Sequence, residues 1–232
     1  MSVAQRKKYE EIADFLELKI FTSGLKVDDK LPSERDLMTQ FGAGRSSVRE
    51  AIFALQRKGL VSARAGTAAR VTRPTADSLV SELSGAARHL LSYPEGIRDL
   101  QNARMLLEVG LARSAALNAT PEDVARLKAA LDANRGASDA QTFQASDMLF
   151  HYTLAQISHN QVFTALNMAL NNWLAEQRRI SSKAGVSFDA VYIQHEAVFL
   201  AIQDRDPIAA EIAMEAHLES VMANYWTQVA GA

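Results

Sequence analysis

The 232-residue chain has no cysteine, which excludes a disulfide framework and any thiol chemistry. It has no run of about eighteen apolar residues either, so we predict no transmembrane helix and no association with a membrane. The first residues lack the apolar core of a signal peptide. Hydrophobic residues make up 48% and charged residues 22%, as in ordinary globular proteins. We therefore expect a cytoplasmic protein.

Strand-forming patterns are also scarce and are nearly confined to residues 60–71. The charge divides unevenly around a boundary that we place after residue 72. Residues 1–72 carry 13 basic and 9 acidic side chains, net +4, whereas residues 73–232 carry 12 and 18, net −6. A basic N-terminal segment followed by an acidic remainder predicts two domains, 1–72 and 73–232, of which only the first binds nucleic acid.

The segment 31–71 predicts a helix, a tight turn, a second helix and a two-stranded hairpin. Ser33 and Asp36 form a capping-box pattern at the start of the first helix. The second helix is predicted over residues 45–58, and its apolar side chains recur at i, i+3, i+4 and i+7, so one face is buried. Short polar side chains and arginines crowd its first turns off that face, as in a recognition helix for the major groove. These side chains belong to Arg45, Ser46, Ser47 and Arg49.

Packing alone could explain the same two helices, with the arginines as ordinary solvated charges. However, residues 30–70 hold eight basic side chains against three acidic ones, net +5, in a chain of net charge −2. A basic patch on an acidic protein favours nucleic-acid binding. Arginine also contacts guanine edges in a bidentate manner, which is worth about 1–3 kcal/mol of discrimination. We predict that Arg64 and Arg70 of the hairpin meet phosphates or the minor groove.

The rest of the chain predicts an all-helical bundle of six or seven helices. Thr120 before Pro121, and Asp206 before Pro207, are N-cap and first-turn pairs that begin two of these helices. The fold class is therefore mainly α, with an N-terminal winged helix-turn-helix domain and a C-terminal bundle. The predicted helices of the bundle span residues 76–92, 95–118, 121–135, 139–158, 160–183, 187–204 and 207–229.

One group of polar residues in the bundle has the composition of a metal site. Asp147 and His151 lie four residues apart on one predicted helix, so they share a face. His195 and His217 lie in the middle of two later helices. One carboxylate and three imidazoles that converge would suit Zn²⁺, Ni²⁺ or Mn²⁺. A buried histidine is more often a hydrogen-bonded core residue, so spacing alone leaves both interpretations open.

The stretches LPSERDL, GRSSVREAI and LQRKGLV, followed by a glycine in the hairpin, resemble the winged helix of the GntR family of bacterial transcription regulators. Several separated motifs agree in their order along the segment 31–71. The resemblance implies that the residues matching Arg35, Arg45, Arg49 and Gly66 contact operator DNA.

Residues 78–226 are similar to the helical effector-binding domain of the FadR branch of this family. The likeness rests on sparse motifs, whose order and spacing fit. It implies a divalent metal, with zinc as our first choice, held by one aspartate and three histidines. The matching residues are Asp147, His151, His195 and His217.

The same resemblance implies a pocket for a small carboxylate. Arg104, in the sequence RMLLE, matches an arginine that pairs with the effector's carboxylate. Arg178 could line this pocket together with Trp173 and Arg179. Core packing of the tryptophan and a solvated helix face for the arginines are the alternatives. The effector stays open between sugar acids, such as sialic acid, and other organic acids, such as aromatic or hydroxycinnamic acids.

Two other classes of function are weighed against a regulator. One is a metal-dependent hydrolase with an accessory DNA-binding domain. Against it, His195-Glu196 lacks the second histidine of the HExxH zinc-protease pattern. The sequence also has no GxSxG nucleophile elbow and no P-loop. An architectural DNA-binding protein is the other, but it would not need a buried polar cluster. We predict a non-enzymatic repressor of a catabolic operon that binds a palindromic operator as a homodimer and releases it when the acid binds.

Overall fold

The computed structural model describes residues 7–64, 67–183 and 187–230, and the chain divides into two compact units, Met1–Leu83 and Ser84–Ala232. Helices predominate in both units, so the mainly α fold class is confirmed. The division between the units falls inside a helix, and the predicted domain boundary after residue 72 stays a prediction. Among the described residues, no helix combines the length and apolarity needed to span a bilayer.

The described residues of the first unit form three complete helices, a two-stranded hairpin and the start of a fourth helix. The predicted capping box is present, because the N–H of Asp36 donates to Ser33 Oγ at 3.2 Å and the N–H of Ser33 donates to Asp36 Oδ2 at 3.2 Å. In the antiparallel hairpin Val61 lies opposite Val71. The elements are α1 (Lys8–Thr22), α2 (Glu34–Phe41), α3 (Arg45–Arg57), β1 (Val61–Ser62) and β2 (Arg70–Val71).

The apolar stripe predicted for α3 forms the centre of the first unit's core. Val48 and Leu55 are completely buried and pack in one cluster with Ile12 and Leu16 of α1. Full burial of such a side chain contributes about 1.5–3 kcal/mol. Burial of this stripe leaves the opposite, polar face of α3 in solvent.

The second unit is a helical bundle, and α4 spans the division between the two units. The helices from here onward are α4 (Ala76–Leu90), α5 (Pro94–Asn118), α6 (Pro121–Arg135), α7 (Ala140–Gln156), α8 (Gln161–Trp173), α9 (Ala175–Lys183), α10 (Phe188–Gln203) and α11 (Pro207–Ala230). Alanines of α5 allow α10 and α11 to approach closely, and Phe150, Leu154 and Met214 fill the centre with no exposed surface. Thr120 and Pro121 begin α6 with the predicted capping box.

The prediction of a single helix over residues 160–183 was wrong, because the described residues of this range form two helices. α8 ends at Leu174, whose backbone leaves helical geometry at φ −90° and ψ 11°. Neither glycine nor proline marks this break, and the apolar pattern runs through it. Leu174 is buried and lines a cavity with α5 and α11, so tertiary packing ends the helix.

Gly59 joins α3 to the hairpin under two constraints. Its φ of +70° lies in the left-handed region that costs other residues about 1–2 kcal/mol. A Cβ at this position would also lie 2.6 Å from Ser78 Oγ and 2.8 Å from Ser78 Cβ. The carbonyl of Gly59 accepts a hydrogen bond from Thr72 Oγ1 at 2.7 Å. Because Gly59 has no side chain, the chain that follows the hairpin can pack closely against the turn at Gly59.

We expect Gly59→Ala to destabilise the first unit more than Gly42→Ala. Gly42 also has a positive φ, +56°, but a Cβ there would meet no atom within 4 Å. Gly42→Ala should therefore lower the stability of the unit only by the conformational cost of a positive φ, about 1–2 kcal/mol. Hydrogen exchange of the α1–α3 amides, which measures local opening free energies, is the assay. Equal losses in the two variants would contradict the close approach of Ser78.

Candidate metal centre and DNA-binding surface

The side chains predicted to contact DNA lie on the solvent-facing side of α2 and α3. The side chains of Arg45 and Arg49 are 72% and 63% exposed. Ser46 and Arg35 are exposed, and Ser47 is half-buried. They lie away from the buried stripe of α3, so the first turns of this helix are free to enter a groove.

Glu34, the first residue of α2, contacts both arginines of α3. Its Oε1 accepts a hydrogen bond from Arg49 Nε at 3.3 Å, and its Oε2 lies 3.9 Å from Arg45 Nε. Surface ion pairs of this kind contribute about 0–1 kcal/mol, so a phosphate or a guanine edge can replace the carboxylate. The sequence analysis missed Glu34 because its contact depends on how α2 packs against α3.

The hairpin adds two further cationic side chains. Arg64 and Arg70 are exposed, and Arg70 Nη1 donates to the carbonyl of Asp28 at 2.6 Å. This bond fixes the stem of the hairpin to the loop after α1. Gly66, predicted to contact DNA, lies outside the described residues.

In the second unit, three helices bring together the four residues predicted as metal ligands. Asp147 and His151 lie on α7, His195 on α10 and His217 on α11, and each is at most 5% exposed. His217 Nε2 lies 3.3 Å from the Nε2 atoms of both other rings. Asp147 Oδ1 lies 3.6 Å from His195 Nε2 and 3.9 Å from His151 Nε2. One atom of each residue thus points to a common centre.

The opposite nitrogen of each ring faces an oxygen that can accept a hydrogen bond. His195 Nδ1 donates to Asn134 Oδ1 at 3.2 Å, and His217 Nδ1 donates to Gln194 Oε1 at 3.0 Å. His151 Nδ1 pairs with the carboxylate of Glu108. These acceptors place the ring proton on Nδ1 in all three histidines, so each Nε2 presents a lone pair to the centre.

Burial disfavours the charged form of the His195 and His217 rings. It lowers the pKa of His195 to about 3, an effect that the nearby His151 ring increases and the carboxylates of Asp147 and Glu108 only partly oppose. Burial also holds the pKa of His217 well below its usual value, together with the two neighbouring rings. Neutral imidazole is the form that binds a metal ion.

These side chains fit a divalent ion. The Nε2 atom of His217 lies 3.3 Å from those of His195 and His151, so a cation bound between these nitrogens would be favourable. Two nitrogens bound to one ion at about 2.0–2.1 Å in a tetrahedral arrangement lie roughly 3.3 Å apart. The cluster of three imidazoles and one carboxylate is therefore able to hold a metal.

Arg104 and Glu108, one turn apart on α5, connect this cluster to its surroundings. Arg104 Nε donates to Glu108 Oε1 at 2.7 Å, and Arg104 Nη2 lies 3.3 Å from His151 Nε2. Burial alone would raise the pKa of Glu108, but the Arg104 guanidinium and the His151 ring hold it well below its usual value. Asn171 Nδ2 also donates to Glu108 Oε1, at 3.3 Å. Glu108 is thus a buried carboxylate that orients a histidine and an arginine together.

A cavity lies beside the cluster, between α5, α9 and α11. Arg104 is shared by the cavity and the cluster, because the residue lines the first and its Nη2 contacts His151 in the second. The wall combines one cation and two amides with apolar side chains. The lining residues are Gln101, Arg104, Leu174, Gln177, Leu218, Val221 and Met222.

The other residues predicted for this pocket have different surroundings. Trp173 is half-buried at the end of α8 and is not among the lining residues of this cavity. Arg179 is exposed and pairs with Glu176 on its own helix. The side chain of Arg178 lies outside the described part of the structure, so its role stays a prediction.

The sequence analysis missed the residues that orient the histidines: Glu108, Asn134 and Gln194. Only Glu108 left a signal, since a charged residue four positions after Arg104 continues one face of a largely apolar helix. The two amides resemble the solvated polar residues of any helix. Their contacts become visible only when the helices are assembled.

Comparison with known proteins identifies both units. Residues 8–71 match the family described as "Bacterial regulatory proteins, gntR family", and residues 99–220 match the FCD domain. Two proteins named HTH-type transcriptional repressor NanR, from Cronobacter sakazakii and Klebsiella aerogenes, are each 43% identical over 226 residues. These matches cover 96% of this chain and 87% of each relative.

Solved structures agree with this assignment. Streptococcus agalactiae GntR superposes with a TM-score of 0.57 at 25% identity and covers 92% of this chain and 98% of its own. E. coli McbR/YncC shares the fold, with a TM-score of 0.53 at 16% identity over 97% of this chain and 100% of its own. The chain therefore belongs to the gntR family of bacterial regulatory proteins, with an FCD domain after its winged helix, and is a DNA-binding transcription regulator and not an enzyme.

Proposed function

We propose that this regulator represses transcription and releases its operator when a small carboxylate binds beside a metal ion in the FCD domain. The observation that carries the proposal is the position of Arg104. The residue lines the cavity, and its guanidinium contacts a histidine of the cluster. A ligand carboxylate held by Arg104 would thus lie within reach of the buried centre. The relatives that are named as repressors support repression over activation.

The DNA-binding part of the proposal assigns base contacts to Arg45 and Arg49. Both project from the first turns of α3, and the guanidinium group matches the paired acceptors of guanine. The remaining residues position the helix through phosphates or backbone contacts. They are Arg35, Ser46, Ser47 and Gly66.

The metal site of the proposal consists of Asp147, His151, His195 and His217. Zinc is our first choice, with nickel or manganese as alternatives, because imidazole and carboxylate ligands accept all three. Such an ion supplies a fixed positive charge that attracts carboxylate oxygens. The acceptors on Nδ1 keep the three rings oriented before any ligand arrives.

The regulator is proposed to act as a homodimer on a palindromic operator, with the early helices of the body, including α4, forming its interface. Two-fold symmetry of the protein would then match two half-sites on the DNA. The acid can reduce the affinity for DNA only to the extent that it binds the DNA-free conformation more tightly than the DNA-bound conformation. Its site of action would be the bacterial cytoplasm, where operator DNA lies. The effector class stays open between sugar acids, such as sialic acid, and aromatic or hydroxycinnamic acids.

Arg45→Ala and Arg49→Ala are expected to weaken specific operator binding by about tenfold to a hundredfold, the loss of one bidentate base contact. Fluorescence anisotropy at fixed salt, with a duplex that the wild-type protein selects from random sequences, measures the effect. Arg57→Ala is the matched control, because it removes the same charge from the other end of α3. Wild-type affinity in both test variants would contradict the recognition-helix assignment.

Metal content should depend on the histidines of the cluster. We expect wild-type protein to retain about one ion per chain after dialysis, and His195→Ala or His217→Ala to lose most of it while still binding operator DNA. Elemental analysis and a gel-shift assay are the two measurements. His89→Ala is the control, since His89 is exposed on α4. An ion retained in both variants would place the metal elsewhere.

An acid that acts through this site should stabilise the protein only when the ion is present. At a hundred times its dissociation constant, such a ligand raises the unfolding free energy by about 2.7 kcal/mol. Thermal-shift screening of sugar acids, dicarboxylates and aromatic acids, with and without chelator, measures this. A shift that survives removal of the metal would separate acid sensing from the cluster.

A further inference from the structure

One carboxylate lies between the two arginines that we propose for base contacts. Glu34 divides its two oxygens between them, because Oε1 accepts a hydrogen bond from Arg49 Nε at 3.3 Å and Oε2 lies 3.9 Å from Arg45 Nε. Both guanidinium groups therefore meet Glu34 through the same nitrogen. This shared orientation is the observation from which the inference starts.

The position of Glu34 is fixed by how α2 packs against α3. Glu34 is the first residue of α2 and directly follows the N-cap of this helix, whose capping box is complete. Leu37 lies three residues further on, is completely buried, and packs in one cluster with Val48 and Leu55 of α3. The carboxylate is thus presented to the first turns of α3 by a helix that the apolar core holds in place.

Contact through Nε leaves one particular part of each guanidinium for DNA. The group carries five N–H donors, one on Nε and four on the two Nη atoms. Arginine can approach O6 and N7 of guanine with both Nη atoms, or with Nε and one Nη atom. A carboxylate on Nε blocks the second approach and leaves the first. In the described part of the chain, neither Arg45 nor Arg49 makes another hydrogen bond or ion pair, so their Nη atoms remain for guanine.

Glu34 therefore acts differently on the two kinds of DNA contact. A phosphate is repelled by the carboxylate and has to compete with it for the arginines. A guanine edge does not need this exchange, because it accepts from the Nη atoms while Nε stays paired. Arginines that are already restrained also lose less rotamer freedom when they bind a base. The carboxylate thus favours guanine edges over phosphates as partners of Arg45 and Arg49.

We infer that Glu34 is a positioning residue for sequence recognition. It directs the Nη atoms of Arg45 and Arg49 toward guanine edges and weakens binding to DNA of other sequences. This inference rests on the proposed function, because it needs the base contacts that are assigned there to the two arginines. It adds a residue outside the recognition helix that determines specificity without contacting a base.

Substitution of single guanines by 7-deazaguanine tests this, because it removes the N7 acceptor and keeps the base pair. The duplex is the one that the wild-type protein selects from random sequences, and fluorescence anisotropy of the full chain at fixed salt measures affinity. We expect the wild type to lose about tenfold in affinity at each guanine that Arg45 or Arg49 contacts. These guanines are identified as the ones at which Arg45→Ala or Arg49→Ala abolishes the loss.

Glu34→Ala should reduce this loss to less than about threefold at the same guanines, because the arginines are no longer oriented. It should also strengthen binding to a random duplex by about threefold, because a negative charge near the phosphates is removed. Glu50→Ala is the control that removes the same charge. Glu50 is exposed on α3 and has no ion pair among the described residues. This variant should retain the full loss at the contacted guanines.

The possible results separate the inference from the proposed function. A loss that stays at the wild-type value in Glu34→Ala would overturn the inference and leave the base contacts of Arg45 and Arg49 in place. Equal weakening of the selected and the random duplex in Glu34→Ala would also overturn it, because a purely structural residue affects both alike. If neither Arg45→Ala nor Arg49→Ala abolishes the loss at any guanine, the proposed base contacts fail and the inference fails with them.

Discussion

Three buried imidazole rings that turn their Nε2 atoms toward one another link α7, α10 and α11 at the centre of the helical unit. A positive charge at the centre would stabilise this arrangement of buried rings. The four side chains of the cluster come from α7, α10 and α11, and the acceptors on Nδ1 add α5 through Glu108 and α6 through Asn134. An ion would therefore fix how five helices are rotated about their axes. The apolar core, which is not directional, holds the helices together but does not set this rotation.

The contacts around Arg104 explain how a ligand could act on the helices. Arg104, Glu108 and His151 form one buried chain from the cavity to the cluster. A carboxylate bound to Arg104 would compete with these contacts, so α5 and α7 would have to adjust together. Coupling of binding sites typically amounts to about 1–3 kcal/mol, which is enough to change operator affinity by about 5–150-fold. On the DNA-binding unit, the ion pairs of Glu34 are weak enough to exchange for contacts with DNA.

Features of the fold that depend on local interactions could be predicted from the sequence. Features that depend on tertiary contacts could not. Ser33 and Thr120 begin α2 and α6 as predicted, because a cap involves residues only three positions apart. Leu174 ends α8 without a glycine or a proline, because its burial depends on α5 and α11. The same division holds in the site. Helical spacing put Asp147 and His151 on one face, whereas their convergence with His195 and His217 was a hypothesis that spacing left open and the family resemblance strengthened. Their convergence is now seen, while their metal binding stays a prediction.

X-ray absorption spectroscopy of the metal-loaded protein, before and after addition of an acid that releases the operator, tests the central claim most directly. The account predicts three imidazole nitrogens and one carboxylate oxygen around the ion, and a change in the oxygen ligands when the acid is added. Fewer than three imidazoles would contradict the assignment of the cluster. An unchanged spectrum with an acid that releases DNA would show that the acid is sensed elsewhere.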